Sequence, residues 1–208
     1  RSPDNIASPG AYQTSLQGIT DAMIGKFDMN GMRQWGSYYG GPGEEYGNAC
    51  VLDGEGYFCI TGTTTSSSGM ASPDGYQTVL NGPEDGYLAK FSPAGLRIWG
   101  TYYGGGGSDG LCGICADPAD TMFVCGYSSS VESVATPGAW QATPGGSLDA
   151  LLVKFIECSV PASPEPVSGS TGICIPETGM TYSCQTVPLA TGYAWTAPPG
   201  AAIISGQN

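Results

Sequence analysis

The chain is 208 residues long, and 40% of them are hydrophobic, which suffices for a packed core. Its 18 acidic and 6 basic side chains give a net charge of −12, which argues against nucleic acid or an anionic membrane surface as a partner. With no histidine, the chain offers no Ser-His-Asp or Cys-His pair and no imidazole metal ligand, so most hydrolase mechanisms are excluded.

Composition also indicates the class of secondary structure. The 34 glycines and 16 prolines show no Gly-X-Y period and are accompanied by 12 tyrosines and 4 tryptophans. This combination favours many short strands joined by tight turns. No window shows sustained helical periodicity, and no apolar run approaches the roughly 18 residues of a membrane-spanning helix. The sequence predicts an all-β protein without membrane insertion.

In chain order, the main feature is a segment that recurs at a fixed spacing. The stretch 21–41 is repeated at 85–105, 64 positions later and without a gap, and a third copy starts at residue 149 and then breaks off. A long fixed period marks one supersecondary unit that stacks on copies of itself. Equivalent residues in the copies are Asp21, Asp85 and Asp149; Lys26, Lys90 and Lys154; and Trp35 and Trp99.

Each complete copy predicts four short strands separated by turn-forming residues. The predicted strands are 21–27, 33–39, 47–53 and 57–64 in the first copy and 85–91, 97–103, 111–117 and 121–128 in the second. Four antiparallel strands in one unit are typical of a β-propeller blade. The alternative for a periodic β chain is a β-solenoid, whose coils are usually far shorter. The first strand of each copy alternates little, which suits a strand covered on both faces by neighbouring blades.

The equivalent charged and aromatic residues favour a structural role over a catalytic or ligand-binding role. Each of the three aspartates precedes a lysine by five positions, which predicts an ion pair or a turn hydrogen bond that ties blades together. A sugar-stacking platform is the alternative for the tryptophans, but Trp35 and Trp99 fall inside the second strands and are interpreted as blade core. A catalytic acid/base pair would have to come from carboxylates that lie on equivalent turns of the copies. Carboxylates repeated in this way more commonly stabilise turns. The candidates are Glu44, Glu45, Asp109 and Asp117.

The repeated pattern DAxxxKF…G…W…YYGG…G(E/D)…D…G…(F/Y)…TG, with SPGAYQT between copies, resembles the SBBP-type β-propeller repeats of bacterial surface and secreted proteins. The resemblance covers residues 1–157 and implies a scaffold with no catalytic residues to carry over. It also implies an extracellular location on the bacterial outer cell surface, reached by a type IX secretion route with gliding or adhesion machinery. Because propellers typically have four to eight blades, we expect further blades from the same larger chain or from another chain.

After residue 157 the composition changes. Residues 158–170 are rich in Pro and Ser and are interpreted as a linker. The segment 171–208, with Tyr182 and Trp195 as expected core aromatics, resembles the start of a PKD-like, immunoglobulin-type domain of surface proteins in Bacteroidetes-like bacteria. This resemblance implies a partial β-sandwich after the blades. Cys174 and Cys184 are candidates for a disulfide within it.

Eight cysteines in a chain without histidine favour an oxidising compartment over a metal site. If the hairpin turn at 54–55 has two residues, facing residues have numbers that sum to 109, which pairs Cys50 with Cys59. The same register in the next copy pairs Cys112 with Cys125. Both pairs would occupy non-hydrogen-bonded sites, where the Cα separation of about 4.5 Å suits a disulfide. The alternative is that these cysteines are reduced and act as small apolar residues. Cys115 and Cys158 are left over.

Two further site predictions concern calcium and an O-glycan. The loops 43–45 and 107–109 are rich in oxygen ligands, but no alternating Asp-x-Asp-x-Asp loop is present, so no cofactor is expected and calcium is the weaker alternative. The tripeptide Asp120-Thr121-Met122 resembles the short O-glycan acceptor of Bacteroidetes-like bacteria. It falls in a turn predicted to be exposed, so Thr121 is a glycosylation candidate.

Together these patterns predict a non-enzymatic segment of a large secreted bacterial protein that serves adhesion, spacing or display. The expected partners are further blades and domains of the same chain and other cell-surface proteins or glycans. The alternative is a carbohydrate- or calcium-binding propeller appended to a secreted hydrolase. An enzyme at the central channel is the weakest hypothesis, because Ala22, Gly86 and Ala150 at that position are small.

Overall fold

The computed structural model describes residues 5–132 and 134–156, which belong to one compact unit, Arg1–Ile156. Over this part of the chain all regular structure is β-strand, which confirms the all-β prediction, and no helix is present that could cross a membrane. The strands are β1 (Ala22–Phe27), β2 (Arg33–Tyr39), β3 (Glu45–Leu52), β4 (Phe58–Thr64), β5 (Asp85–Phe91), β6 (Arg97–Tyr103), β7 (Asp109–Ala116), β8 (Met122–Ser128) and β9 (Asp149–Phe155).

The hydrogen-bonded sheets do not coincide with the copies of the repeat in the sequence. β1 and β2 form a first sheet, β3-β4-β5-β6 a central sheet and β7-β8-β9 a third sheet, and all neighbouring strands are antiparallel. The prediction that one copy supplies all four strands of a blade is therefore wrong. The four-stranded sheet takes its first two strands from one copy and its last two from the next.

The connections between strands explain this grouping. After β4 the chain loops back and β5 pairs with β4 along its whole length, with Leu88 opposite Thr61. The connection after β2 is Gly-Gly-Pro-Gly at 40–43, and it does not close a hairpin onto β3. A Cβ added at Gly41 would lie 2.1 Å from the Ser68 carbonyl oxygen, so only glycine permits this close passage. The chain thus moves on to the next sheet, where β3 begins.

Four hairpin turns share one geometry, and it differs from the predicted two-residue turn. In the turn after β3, the N–H of Asp53 donates to the Tyr57 carbonyl at 2.9 Å, and the Asp53 carboxylate accepts the N–H groups of Glu55 and Tyr57 at 3.0 and 2.8 Å. The last of the three turn residues has a left-handed backbone, as in a three-residue hairpin loop with a bulge. The residues at this position are Gly31, Gly56, Gly95 and Asp120, with φ of 77°, 86°, 82° and 59°.

This turn shifts the register on which the first disulfide was predicted. Because three residues rather than two close the hairpin, Cys50 faces Ile60 and Cys59 faces Val51. The two cysteines therefore occupy adjacent rungs, whose side chains point to opposite faces of a sheet. The predicted register is wrong. Cys50 is an exposed thiol, whereas Cys59 is buried.

The second predicted pairing fails for a related reason. Cys125 lies opposite Gly113, and Cys112 is the extra residue of a bulge between Leu111 and Gly113. A bulge puts two residues of one strand against one residue of its partner and re-aims their side chains. The predicted register of this pair is therefore also wrong. Cys112, Cys115 and Cys125 are exposed thiols.

Aromatic rings fill the space between the first and central sheets. The Phe91 ring stacks on Phe58 at 5.3 Å and meets the Tyr39 ring edge-on at 5.4 Å. Trp35, from the first sheet, stacks on Phe58 at 5.4 Å and donates its indole N–H to the Pro93 carbonyl at 3.1 Å. These contacts bury a core that no single sheet could form alone.

A second core lies between the central and third sheets. Its buried members include Leu88 and Tyr103 of the central sheet and Leu111 and Val124 of the third sheet. Trp99 packs against this core, as Trp35 packs against the other one. The two equivalent tryptophans therefore occupy equivalent positions against a neighbouring sheet.

The burial of the first strand of each copy depends on how many sheets pack against it. All residues of β5 are buried, so it is covered on both faces, as its lack of alternation predicted. The same prediction is wrong for the other two copies: in β1 only Ala22 and Ile24 are buried, and in β9 exposed residues alternate with partly buried ones. The predictions for 158–170 and 171–208 lie outside the described residues.

Candidate functional site

Buried carboxylates lie where β5 of the central sheet and β7 of the third sheet begin. Asp85 at the start of β5 and Asp109 at the start of β7 are both fully buried. We call these two residues the second carboxylate pair. The first carboxylate pair is Asp21 and Glu45, 64 residues earlier in the chain.

Asp85 closes the loop that precedes its own strand. Its Oδ2 accepts hydrogen bonds from the Gln77 side-chain amide at 2.7 Å and from the Asn81 N–H at 2.9 Å. Its Oδ1 accepts the Gly82 N–H at 3.3 Å. Gln77 in turn accepts the Gly104 N–H at 2.9 Å through its side-chain oxygen. The aspartate therefore ties the 77–82 loop to the strand ends.

The other two predicted aspartates have the same role in their own copies. Asp21 accepts hydrogen bonds from the Gln13 side-chain amide, the Gln17 N–H at 2.9 Å and the Gly18 N–H at 3.2 Å. Asp149 accepts the N–H groups at 145 and 146, at 3.0 and 3.2 Å. Of the two expected interactions, the structure has the turn hydrogen bond at all three positions, but these bonds hold the loop before the aspartate's own strand rather than tie one sheet to the next.

Asp109 joins the start of β7 to the end of β8. Its Oδ2 accepts the Gly105 N–H at 2.7 Å and the Ser130 hydroxyl at 2.6 Å, and its Oδ1 accepts the Ser128 hydroxyl. Three donors, from the connection before β7 and from the end of β8 and the segment after it, therefore bind both oxygens of the buried carboxylate and offset the cost of its burial.

Glu45 repeats this arrangement in the preceding copy with one extra methylene in the side chain. Its Oε2 accepts the Gly41 N–H at 2.9 Å, and its Oε1 accepts the Thr64 and Ser66 hydroxyls at 2.6 and 2.5 Å. Each donor stands 64 positions before its counterpart around Asp109. The repeat therefore reproduces the whole set of hydrogen bonds in addition to the acidic side chain.

The two carboxylates of each pair meet at a glycine. A Cβ placed on Gly104 would lie 2.5 Å from Oδ1 of Asp85 and 2.8 Å from Oδ2 of Asp109. Burial raises the pKa of Asp85; the N–H groups of Asn81 and Gly82 lower it, and the Asp109 carboxylate raises it again, so the pKa ends above its ordinary value. A neighbouring carboxylate disfavours the ionised form of an acid in this way. Their oxygens are nevertheless occupied by loop donors, which leaves them poorly placed for acid/base catalysis.

An open groove of about 480 Å³ lies beside the first carboxylate pair. It is lined by Tyr12, Gln13, Gln17, Gly40, Gly41, Pro42, Ser68 and Gly69. Polar amides and one aromatic ring are groups that hold small polar ligands. Within residues 5–132 and 134–156, no three metal-ligating side chains come together.

The predicted lysines sit in three different environments. Lys90 is buried, and its Nζ lies 3.0 Å from Oδ2 of Asp53 and 5.0 Å from the centre of the Tyr57 ring. Lys154 lies over the Phe123 ring at 5.9 Å, and Lys26 is exposed. The ion pair thus joins Lys90 of β5 to the β3–β4 hairpin turn in the same sheet.

Burial alone would raise the pKa of Asp53. Hydrogen bonds from Lys90 and from the N–H groups of Tyr57 and Glu55 outweigh that effect and hold the pKa of Asp53 below its ordinary value. The ion pair therefore stabilises the charged form of the Asp53 side chain at neutral pH.

Residues 160–208 match a PKD-like domain. The match supports the PKD-like resemblance of 171–208 and starts eleven residues earlier, within the stretch interpreted as a linker. No curated protein matches the chain. The SBBP-type resemblance of the β-sheet region stays a prediction.

The PKD-like segment contains Cys174 and Cys184, so their predicted disulfide lies outside the described residues. Thr121 lies inside them, and its predicted exposure is wrong. Only 9% of this residue is exposed. Its N–H donates to Oδ1 of Asp117 at 2.9 Å, and its hydroxyl also bonds that carboxylate, so the hairpin turn holds the side chain.

Sequence reasoning missed the partners that complete each carboxylate pair. Gln13 and Gln77 bridge an aspartate and a glycine N–H, and Ser66 and Ser130 supply the buried hydroxyls. The available signal was the repeat itself, since Gln13 recurs as Gln77 and Ser66 as Ser130, each 64 positions later.

Proposed function

We propose that residues 5–156 are a non-enzymatic structural module, built from propeller-type sheets, in a secreted bacterial cell-surface protein. The module spaces and displays the PKD-like segment that follows it. The observation that carries the proposal is β5, which is buried on both faces because a sheet packs on each side of it. A strand of this kind supports lateral stacking of repeated sheets, the construction of solenoids and propellers.

The buried carboxylates support the same proposal. The carboxylate oxygens of Asp85, Asp109 and Glu45 accept hydrogen bonds from N–H groups and hydroxyls of the connecting loops, so these side chains serve to hold the loops in place. The family resemblances of both segments favour an extracellular location with further domains of the same chain or other surface proteins as partners.

A carbohydrate- or calcium-binding module is the second candidate, and the groove beside Gln13 and Tyr12 is the observation that favours it. A glycan array and thermal melting with and without calcium separate the two. We expect no glycan signal and no calcium-dependent shift of the melting temperature for a structural module. Binding sufficient to stabilise the fold by about 1 kcal/mol would raise the midpoint by about 2 to 4 °C, and such a rise would contradict the proposal.

A matched variant locates any ligand that does bind. Gln17→Ala alters the groove without touching the buried network of Glu45, because Gln17 bonds Ser15 and the Asp21 carboxylate through exposed groups. If a glycan or calcium signal appears and disappears in this variant, the second candidate replaces the first.

A further inference from the structure

We propose that the second carboxylate pair, Asp85 and Asp109, is an acid-sensitive link between the central and third sheets. As the pH falls, the pair takes up one proton from solution, and that proton forms a hydrogen bond directly between the two side chains. The link adds a response to pH at the joint between the sheets, and it does not depend on the proposed function of the module.

The two acids belong to different sheets, and the fold brings their oxygen atoms together. Asp85 begins β5 and Asp109 begins β7, and the described residues bury both completely. A Cβ on Gly104 would lie 2.5 Å from Oδ1 of Asp85 and 2.8 Å from Oδ2 of Asp109. Because glycine lacks that atom, its position leaves the space beside both oxygens open. A direct hydrogen bond between them needs one proton, since two ionised carboxylates have no donor.

Oδ1 of Asp85 is the oxygen best placed to carry this proton. It accepts the Gly82 N–H at 3.3 Å, slightly longer than the usual range for a protein hydrogen bond. Oδ2 of the same side chain accepts two shorter bonds, from the Gln77 amide at 2.7 Å and from the Asn81 N–H at 2.9 Å. A proton on Oδ1 therefore leaves the two shorter loop bonds in place, and the new O–H group donates to Oδ2 of Asp109.

Burial and the neighbouring charge both favour the protonated form of Asp85. Burial raises its pKa most, the N–H groups of Asn81 and Gly82 lower it, and the Asp109 carboxylate raises it, which leaves the pKa above its ordinary value of 3.8. Asp85 therefore binds a proton at a higher pH than an ordinary aspartate does. The acid then donates to an ionised carboxylate, and hydrogen bonds to charged groups are stronger than those between neutral groups.

The other ionisable groups that face the pair are one acid and three phenols: Glu84, Tyr102, Tyr103 and Tyr127. Burial raises the pKa of each of the three tyrosines to about 12, so they stay neutral throughout the acid range. Oε1 of Glu84 accepts the Tyr127 hydroxyl at 2.7 Å. None of these four groups carries a positive charge that would hold Asp85 in its ionised form.

Proton uptake by Asp85 adds stability to the fold in acid. Because the pKa of Asp85 is raised in the folded protein, this contribution is complete below the ordinary value of 3.8 and is lost as the pH rises through the folded-state value. The contribution of Asp53 has the opposite sign, since its pKa is lowered. The link therefore offsets part of the stability that the Asp53 ion pair loses on acidification.

An NMR titration of the full chain, labelled with carbon-13 at the aspartate carboxyl carbons, tests the proposal. We expect the Asp85 carboxyl to titrate with a midpoint above 3.8. Asp109→Asn removes the neighbouring charge and should move that midpoint to lower pH, because one of the causes that raise it is gone. Asp21→Asn, which alters an acid of the first carboxylate pair, is the control and should leave the Asp85 midpoint unchanged.

Urea denaturation of the unaltered chain and of Asp85→Asn gives a second readout. As the pH falls towards 3.8, the unaltered chain should gain stability relative to the variant, because asparagine binds no proton. A stability difference that stays the same at every pH overturns the proposal. So does an Asp85 midpoint at or below 3.8 in the unaltered chain, a result that requires no variant to fold.

Discussion

β1 and β5 are built from equivalent positions of the repeat, but they differ in burial. Every residue of β5 is buried, whereas β1 buries only Ala22 and Ile24. The difference arises because the central sheet has a neighbour on each side and the described first sheet has one. A strand's own sequence therefore does not decide its burial in this protein; the number of sheets packed against it does.

The phenylalanines that end these two strands provide the largest test of this comparison. Phe91→Ala removes a ring that contacts Phe58, Tyr39 and Tyr12, and we expect it to lower the free energy of unfolding by about 4 kcal/mol. Phe27→Ala at the equivalent exposed position should cost less than about 0.5 kcal/mol. Urea denaturation with matched m-values measures both. Equal losses would contradict the comparison.

The lysines of the same two strands are expected to give the next largest difference in stability. Lys90→Met leaves the Asp53 carboxylate, whose side chain is 7% exposed, without its cation, and we expect a loss of about 2 kcal/mol. The residual exposure of the pair keeps this below the cost for a fully buried pair. Lys26→Met, at the exposed equivalent, should change stability by less than about 0.5 kcal/mol. A similar loss in both variants would show that lysine acts through the strand rather than through the buried pair.

The smallest effect is the pH dependence that the same pair creates. The pKa of Asp53 in the folded protein lies below its ordinary value of 3.8, so the ionised group stabilises the fold above that pH. This contribution disappears as the pH falls through the lower, folded-state pKa. We therefore expect Asp53→Asn to flatten the loss of stability on acidification to about pH 3.

Urea midpoints measured from pH 6 to pH 3 for the two proteins check this expectation. The Asp117→Asn variant is the companion test, since Asp117 occupies the equivalent turn of the third sheet. Hydrogen bonds, led by that from the Thr121 N–H, lower its pKa, so we expect a change in the same direction. A steeper pH dependence in Asp53→Asn than in the unaltered chain would contradict the assigned direction.

The positions of the strands followed from the sequence because they depend on local patterns. Turn residues such as Asp28 and Gly31 recur at fixed distances, and apolar residues fill the stretches between them. The observed strands consequently lie within two residues of the predicted ones. The carboxylates were visible in the same way, as acids at equivalent positions, although their glutamine and serine partners were not singled out.

Such local patterns could not predict which strands pair or which residues lie opposite the cysteines. A three-residue turn and a two-residue turn have similar sequences here, yet one extra residue moved Cys59 from the predicted rung opposite Cys50 to the rung opposite Val51. Likewise, the sequence around Thr121 predicts an exposed turn, but only 9% of this residue is exposed because the turn folds onto its side chain.

The sequence by itself determined a repeated unit of four strands, its turns and an acidic, histidine-free chain, because spacing and composition act locally. Only the tertiary structure decided which strands share a sheet, which equivalents are buried and where the carboxylates meet. Those properties depend on contacts between residues far apart in the chain. Such contacts arise when one copy of the unit packs on the next, and a single copy cannot specify them.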